Sequence, residues 1–145
     1  MAAPRPGLAL LPVAALLLPA ASPVATLELD VQGLRSAKGV LQLCLTTRPD
    51  SFPDCKGDPR AVTRTVPAAA PVIRIDGLAP GSYAAAIIHD ENGNKRLDTV
   101  MGIPREGFGF SRNPRIGFGP PKFDAARFPL DNGSAPQPVK MRYLL

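Results

Sequence analysis

The sequence predicts an all-β protein, an antiparallel β-sandwich with one long irregular loop segment. Short stretches of alternating apolar and polar residues recur along the chain, and period two is the pattern of a half-buried strand. Turn signals separate these stretches, as they do in all-β sandwiches. The chain also holds 13 Gly and 18 Pro among its 145 residues. That share argues against a helix bundle or a coiled coil.

The first 25 residues have the layout of a secretory signal peptide. Arg5 gives a basic start, an apolar stretch runs from residue 8 to 18, and small residues follow. The apolar stretch is shorter than the about 20 residues that cross a membrane. We expect cleavage after Ser22 or Ala25, one domain over residues 26–145, and a periplasmic or secreted protein. No later segment has the length of a transmembrane helix, so none is predicted.

Five strands are predicted, and the first, second and last of them alternate between apolar and polar residues. The strands are predicted at Leu27–Gln32, Leu41–Thr46, Val72–Ile75, Tyr83–His89 and Val139–Tyr143. The fourth lacks alternation, which fits a central strand buried on both faces. A helix is the alternative there, but its seven residues between turn signals are few for a helix.

The chain has two cysteines, Cys44 and Cys55. An exported protein with two cysteines is expected to join them in a disulfide, and two free thiols are the alternative. In the predicted strand, alternation places Cys44 on the face opposite the leucines. The bridge would then tie this strand to the Pro-rich loop at residues 48–60.

Residues 89–128 differ in composition from the rest of the chain. They contain five of the six Phe, and residues 95–128 carry seven basic and three acidic residues. Long irregular segments in compact domains are commonly functional, and this aromatic content argues against disorder. The candidate binding loop consists of Arg105, Glu106, Phe108, Phe110 and Arg112, and the expected partner is an envelope component or an anionic polymer. The alternative is that the Phe fill the core and the Arg form a solvated face. Nucleic acid is not expected as a partner of an exported protein.

Oxygen-bearing side chains recur at odd spacing in the stretch that follows the fourth strand. They are Asp90, Asn92, Asn94 and Asp98. The spacing matches the first half of an EF-hand loop and predicts a Ca²⁺ site. Lys95 stands where that loop has Gly, and Met101 where it has a bidentate Glu. A bound ion would therefore need a remote carboxylate such as Glu106, or waters. The alternative is an Asn-Gly turn whose side chains bond their own backbone.

His89 is the single histidine, and a lone His is more often a packed, hydrogen-bonded residue than a catalytic one. Together with Asp98 and Glu106 it allows a second hypothesis, a hydrolase acting on an envelope glycan or ester. A cleft that brings His89 within hydrogen-bond reach of Glu106 would favour it. No cofactor other than Ca²⁺ is predicted.

Three motifs at these positions carry a family resemblance. HDENGNKRLDT at residues 89–99, GIPREGFGFS at 102–111 and FGPPKF at 118–123 resemble the bacterial exported family catalogued as domain of unknown function 2141. The turn at Gly77–Tyr83 and the closing strand at Tyr143 are similar too, whereas Lys95 stands where many members have Gly. The resemblance implies an exported, Ig-like or prealbumin-like β-sandwich and no established activity. We therefore expect a non-enzymatic binding or structural module of the cell envelope.

Overall fold

The computed structural model describes residues 1–7, 9 and 11–145. The described residues before Ala25 are exposed and form neither helix nor strand. Leu8 and Leu10 of the predicted signal peptide lie outside the described residues, and the signal peptide stays a prediction. Within the described ranges, no helix is both long enough and apolar enough to cross a membrane.

Ten strands and two short helices follow one another along the described chain. The strands are β1 (Ala25–Gln32), β2 (Val40–Thr46), β3 (Val62–Pro67), β4 (Val72–Leu78), β5 (Gly81–Asp90), β6 (Thr99–Val100), β7 (Ile103–Pro104), β8 (Gly107–Phe110), β9 (Phe128–Leu130) and β10 (Gln137–Lys140). A 3₁₀ turn covers Pro49–Ser51 and the helix α1 covers Phe123–Ala126.

The strands form two main sheets, as an antiparallel β-sandwich requires. One sheet has the order β10–β1–β4, and the other has the order β3–β2–β5–β8, with β9 pairing to the start of β5. The all-β sandwich predicted from the sequence is confirmed. One pair differs from the prediction, because β10 lies parallel to β1. The strands β6 and β7 pair with each other in a separate hairpin.

The main core contains alternate residues from both sheets. Leu27, Leu29 and Val31 of β1 are buried there, and Leu41 and Leu43 of β2 belong to the same core. Apolar burial of this kind contributes about 25 cal/mol per Å² of surface removed from water. The predicted alternation of these two strands is therefore confirmed by what each face contacts.

The strand β5 is buried on both faces, as its unbroken apolar sequence predicted. Tyr83, Ala85 and Ile87 belong to the main core, whereas Ala84 and Ala86 belong to a second apolar cluster. At the start of the strand the Tyr83 hydroxyl donates a hydrogen bond to the Ala79 carbonyl at 2.6 Å. β5 is thus the central strand that carries its last residues, His89 and Asp90, to one end of the sandwich.

The second cluster accounts for much of the aromatic segment. Phe52 packs edge-on against Phe110 and Phe123, with ring centroids 5.9 and 6.2 Å apart. The disulfide between Cys44 and Cys55 joins this cluster, with the two Cα atoms 5.7 Å apart. The predicted bridge between strand and loop is therefore confirmed.

The segment 89–128 is more regular than predicted, since it contains β6, β7, β8 and α1. Gly107 and Gly109 hide β8 from pattern analysis because Gly is uncommon in strands. The packing explains both glycines. A Cβ at Gly109 would lie 2.8 Å from Met141 Sδ and 2.8 Å from Val139 Cγ1, and a Cβ at Gly107 would overlap the Tyr143 ring.

Gly39 fixes how the β1–β2 connection meets the end of β5. Its φ is +70°, a conformation that costs other residues about 1–2 kcal/mol. A Cβ at this position would also overlap the backbone of Asp90 and Glu91. Only glycine satisfies both conditions, and the carbonyl of Gly39 also accepts a hydrogen bond from the Ala68 N–H at 3.1 Å.

Gly39→Ala is expected to lower the free energy of unfolding more than Gly77→Ala does. Gly77 has a φ of +72° with open space around its Cβ direction, so alanine there should cost about 1–2 kcal/mol. At Gly39 the overlap with backbone adds to that cost, and we expect a further loss of about 2 kcal/mol or more. Urea unfolding of both variants measures the difference. Equal losses would show that the contact with Asp90 and Glu91 does not constrain this connection.

Candidate functional site

Asp90 is the last residue of β5, and its side chain turns the chain into the loop that follows. The carboxylate is fully buried. Its Oδ1 accepts a hydrogen bond from the Asn94 N–H at 3.2 Å, and its Oδ2 accepts from the Lys95 N–H at 2.7 Å and from Gln42 Nε2 at 2.8 Å. A carboxylate has about four acceptor sites, so Oδ1 keeps one for another partner.

The loop of residues 90–98 is closed by side chains that bond its own backbone. Asn92 Oδ1 accepts from the Asn94 N–H at 3.1 Å, and Asn94 Oδ1 accepts from the Arg96 N–H at 2.9 Å. These are the turn contacts that the sequence left open as the alternative to a metal loop. They leave one lone pair on each amide oxygen.

The same two amides also converge on Asp98. Asn92 Nδ2 donates to Asp98 Oδ2 at 2.8 Å, and Asn94 Nδ2 donates to both Asp98 oxygens at 2.9 and 2.8 Å. These bonds lower the pKa of Asp98, because hydrogen bonds to a carboxylate favour its charged form. The structure therefore brings together the four predicted ligands, Asp90, Asn92, Asn94 and Asp98.

Glu106 is the unusual residue of the site. Its side chain is 5% exposed, and no donor among the described residues reaches either oxygen of the ionised carboxylate. The protonated acid, in contrast, can donate a hydrogen bond to Asp90. Burial raises its pKa to about 7, and the charges of Asp90 and Asp98 add to the shift. An unpartnered buried carboxylate is expensive, so this position needs an explanation.

A cavity of about 270 Å³ opens beside this carboxylate and is lined by Arg35, Glu91, Asn92, Asp98, Arg105 and Glu106. Arg35 holds one side of it. Its Nε donates to Glu91 Oε1 at 2.7 Å, its Nη2 donates to the Arg105 carbonyl at 3.1 Å, and its guanidinium lies 4.5 Å from the Tyr143 ring centroid. The ion pair with Arg35 lowers the pKa of Glu91. The cavity therefore lies next to the buried carboxylate of Glu106.

The carboxylates do not form a metal centre by themselves. In the described part of the chain, no group of three His, Cys, Asp or Glu side chains is arranged to hold a metal ion. A cation at this site would depend on the amide oxygens of Asn92 and Asn94 as well as on carboxylates. Such an all-oxygen donor set suits a hard cation.

His89 is buried next to the site and faces away from the cavity. Nδ1 is 2.7 Å from the Tyr143 hydroxyl, and Nε2 is 2.8 Å from the Lys38 carbonyl. Because a carbonyl only accepts, Nε2 carries the proton in this pair. Both ring nitrogens are occupied by partners other than Glu106, so the structure does not show the acid–base contact that the hydrolase hypothesis requires.

The predicted binding loop divides into buried and exposed residues. Glu106, Phe108 and Phe110 are buried, whereas Arg105 and Arg112 are exposed. The two Phe belong to the second apolar cluster, which is the alternative that the sequence left open. Ser111 is structural, since its hydroxyl accepts from the Ala85 N–H at 2.9 Å and donates to the Ala126 carbonyl at 2.5 Å.

Sequence reasoning missed three residues that shape the site. Gln42 donates to Asp90, Arg35 lines the cavity, and Tyr143 contacts both Arg35 and His89. Each is distant along the chain from the loop that it supports. No local pattern marks them, because their roles depend on how β2 and the C-terminal residues meet the end of β5.

Comparison with known proteins gives one match. The model of a family described as "Uncharacterized protein conserved in bacteria (DUF2141)" matches residues 29–137, about three quarters of the chain. No curated protein and no solved structure matches the chain.

The buried Glu106 makes stability depend on pH in a direction opposite to ordinary carboxylates. Its pKa is about 7 in the folded protein and about 4.3 in an unfolded chain, so the folded state binds the extra proton between these values. In chelator, the free energy of unfolding should fall as pH rises from 5 to 8, by about 3 kcal/mol at most. Glu106→Gln should remove this slope.

Urea unfolding of the two proteins from pH 5 to pH 8 makes the measurement. The difference between them cancels the contributions of the titrating groups that do not interact with Glu106. Glu28→Gln on β1 is the matched control, and its pH dependence should equal that of the original protein. If the free energy of unfolding of Glu106→Gln still falls with pH as it does in the original protein, the prediction is wrong and burial does not raise the pKa of Glu106.

Proposed function

This chain belongs to the DUF2141 family of proteins conserved in bacteria, and we propose that it is an exported, non-enzymatic β-sandwich module of the cell envelope that binds Ca²⁺ in its Asp90–Asp98 loop. Glu106 would complete the ligand set. The observation that carries the proposal is the buried Glu106 carboxylate, which has no donor partner in its ionised form and lies beside Asp90 and Asp98.

A cation accounts for this cluster of negative charge. Three carboxylates, from Asp90, Asp98 and Glu106, lie at one end of the sandwich, and the charges of the first two raise the pKa of the third. A divalent cation among them would replace the lost hydration of Glu106 and offset the repulsion. Without a cation the same burial disfavours folding above neutral pH.

The donor chemistry favours Ca²⁺ over other divalent cations. The candidate ligands are carboxylate and amide oxygens, and Ca²⁺ takes six to eight oxygens in flexible geometry. The cavity next to Glu106 has a volume of about 270 Å³, enough for waters to supply the remaining oxygens. Mg²⁺ binds more tightly to its own waters and needs a stricter octahedron.

Export is supported by the sequence and by the disulfide. The first 25 residues have the composition of a signal peptide, and Cys44 is bonded to Cys55. Structural disulfides are characteristic of oxidising compartments. Outside the cytosol, free Ca²⁺ is high enough for the weaker class of Ca²⁺ sites to be filled.

We propose a non-enzymatic module because the candidate nucleophile and the candidate base already bond to other groups of the protein. Both nitrogens of His89 bond to Tyr143 and Lys38, and the Ser111 hydroxyl bonds to backbone groups of Ala85 and Ala126. A hydrolase needs an acid and a base within reach of one substrate atom. Glu106 lines the cavity together with Asp98, but without His89 or Ser111 beside it.

Ca²⁺ should raise the melting temperature of the protein, and Glu106→Gln should abolish that increase. A ligand of the native state at ten times its Kd contributes about 1.4 kcal/mol, which corresponds to about 4–6 °C in a domain of this size. The experiment compares melting in millimolar Ca²⁺, in the same concentration of Mg²⁺ and in chelator, at pH 7.5.

Two controls define the result. Glu28→Gln on β1 keeps all proposed ligands and should respond to Ca²⁺ as the original protein does. In chelator, Glu106→Gln should melt higher than the original protein, because it removes a buried charge. Identical melting temperatures in Ca²⁺ and in chelator would remove Ca²⁺ from the proposed function.

A further inference from the structure

The hairpin of β6 and β7 exposes an apolar surface next to the Asp90–Asp98 loop. Val100 pairs with Ile103 across the hairpin, so their side chains lie on the same face. Met101 stands at the tip with 97% of its surface exposed, and Leu97 at the base is also exposed. Scattered exposed apolar residues need no explanation, but four of them between positions 97 and 103, on and beside one hairpin, indicate an interaction site.

The turn at the tip has a geometry that does not favour an exposed methionine. Met101 and Gly102 have φ values of +52° and +80°, which are the signs of a type I′ turn. The first position of such a turn favours Asn, Asp or Gly. A large apolar side chain is thus placed where a small polar one would be more stable and more soluble.

Basic residues flank the apolar tip on both sides. Lys95, Arg96 and Arg105 are exposed, and none of them forms an ion pair within the described ranges of the chain. The single acidic residue between positions 95 and 105 is Asp98, whose oxygens accept the Asn92 and Asn94 amides. The hairpin therefore presents an apolar tip with exposed basic residues on both sides of it in sequence; Lys95 and Arg96 precede it, and Arg105, which also lines the cavity with Asp98, follows it.

We propose that this hairpin docks the protein onto the surface of an anionic phospholipid bilayer. The apolar tip would enter the boundary between headgroups and acyl chains, and the cations would lie at the level of the lipid phosphates. The inference rests on the proposed function in one respect, because an exported envelope protein has the outer face of a membrane within reach.

A lipid surface fits this hairpin better than a protein partner or a second copy of the chain. A stable protein interface buries about 800 Å² on each partner, and a hairpin with two residues in each strand offers only part of that area. A bilayer accepts a small apolar tip because the contact needs no complementary shape. The charge of the flanking residues also matches that of anionic headgroups.

Vesicle sedimentation of the full chain tests the proposal. We expect binding to phosphatidylcholine vesicles that contain about one quarter phosphatidylglycerol, and weak binding to pure phosphatidylcholine. Met101→Asp should weaken binding about tenfold or more, and Arg96→Gln about fivefold. The matched controls are Phe118→Asp and Arg115→Gln, which make the same changes in the exposed 112–122 loop and should bind like the original protein. Residues 11–18 expose apolar side chains that can themselves bind vesicles, so each full chain is compared with the same chain cleaved after Ser22.

A second measurement reports the tip alone. A polarity-sensitive dye on Met101→Cys should shift its emission to the blue on anionic vesicles, and the same dye on Phe118→Cys should not. The proposal fails if Met101→Asp binds as well as the original protein, if Phe118→Asp is weakened as much, or if the dye at position 101 does not respond. Dimerisation that Met101→Asp abolishes, in the absence of vesicle binding, would assign the hairpin to a second copy and would also overturn it.

The two proposals can fail separately. If Ca²⁺ raises the melting temperature but vesicles do not bind, the lipid inference is wrong and the Ca²⁺ site stands. If vesicles bind equally in Ca²⁺ and in chelator and the melting temperature does not respond, the Ca²⁺ site is wrong and the docking surface stands.

Discussion

The hydrogen bonds of the buried Asp90 carboxylate join the sandwich to the loop that holds the candidate site. The carboxylate accepts one hydrogen bond from Gln42 on β2 and two from backbone N–H groups of the loop. A buried carboxylate must be satisfied in this way, so the central strand cannot end without the loop folding around it. Gly39 allows the neighbouring connection to approach the same point. The position of the remaining site residues follows from this arrangement.

Glu106 shows the cost of that arrangement. The fold supplies hydrogen bonds to Asp90 and Asp98 but leaves Glu106 buried without a partner. Gathering like charges in a dry environment opposes folding, and sites of this kind are common where proteins bind ions or perform chemistry. A cavity that Glu106 lines lies beside the buried carboxylate, and a cation with its waters would need such a space next to the site.

The predictions from sequence located β1, β2, β4 and β5, missed β3 and β9, and placed the closing strand at 139–143 instead of Gln137–Lys140. Period-two alternation located the core strands, and odd spacing of Asp and Asn located the loop, since each signal lies within a few residues. The strand β8 was missed because it contains Gly107 and Gly109, which local propensity disfavours in a strand. Glycine is required there because residues near the C-terminus pack directly over both positions. The lone His89 drew a catalytic hypothesis, but its partners Tyr143 and Lys38 lie 54 and 51 residues away. Only the tertiary structure reveals that both nitrogens are occupied.

Asp98 connects the Asp90–Asp98 loop directly to the β6–β7 hairpin. Asp98 closes the loop through its side chain, and its carbonyl accepts the Arg105 N–H at 2.8 Å at the base of the hairpin. A cation that fixes Asp98 therefore also fixes the strands that carry Val100 and Ile103. A ligand that rigidifies a segment reduces the entropy that a second ligand must remove, and such coupling is reciprocal. If cation and membrane both bind, each strengthens the other without any contact between them, and the positive charge of the cation adds to the attraction of anionic lipid.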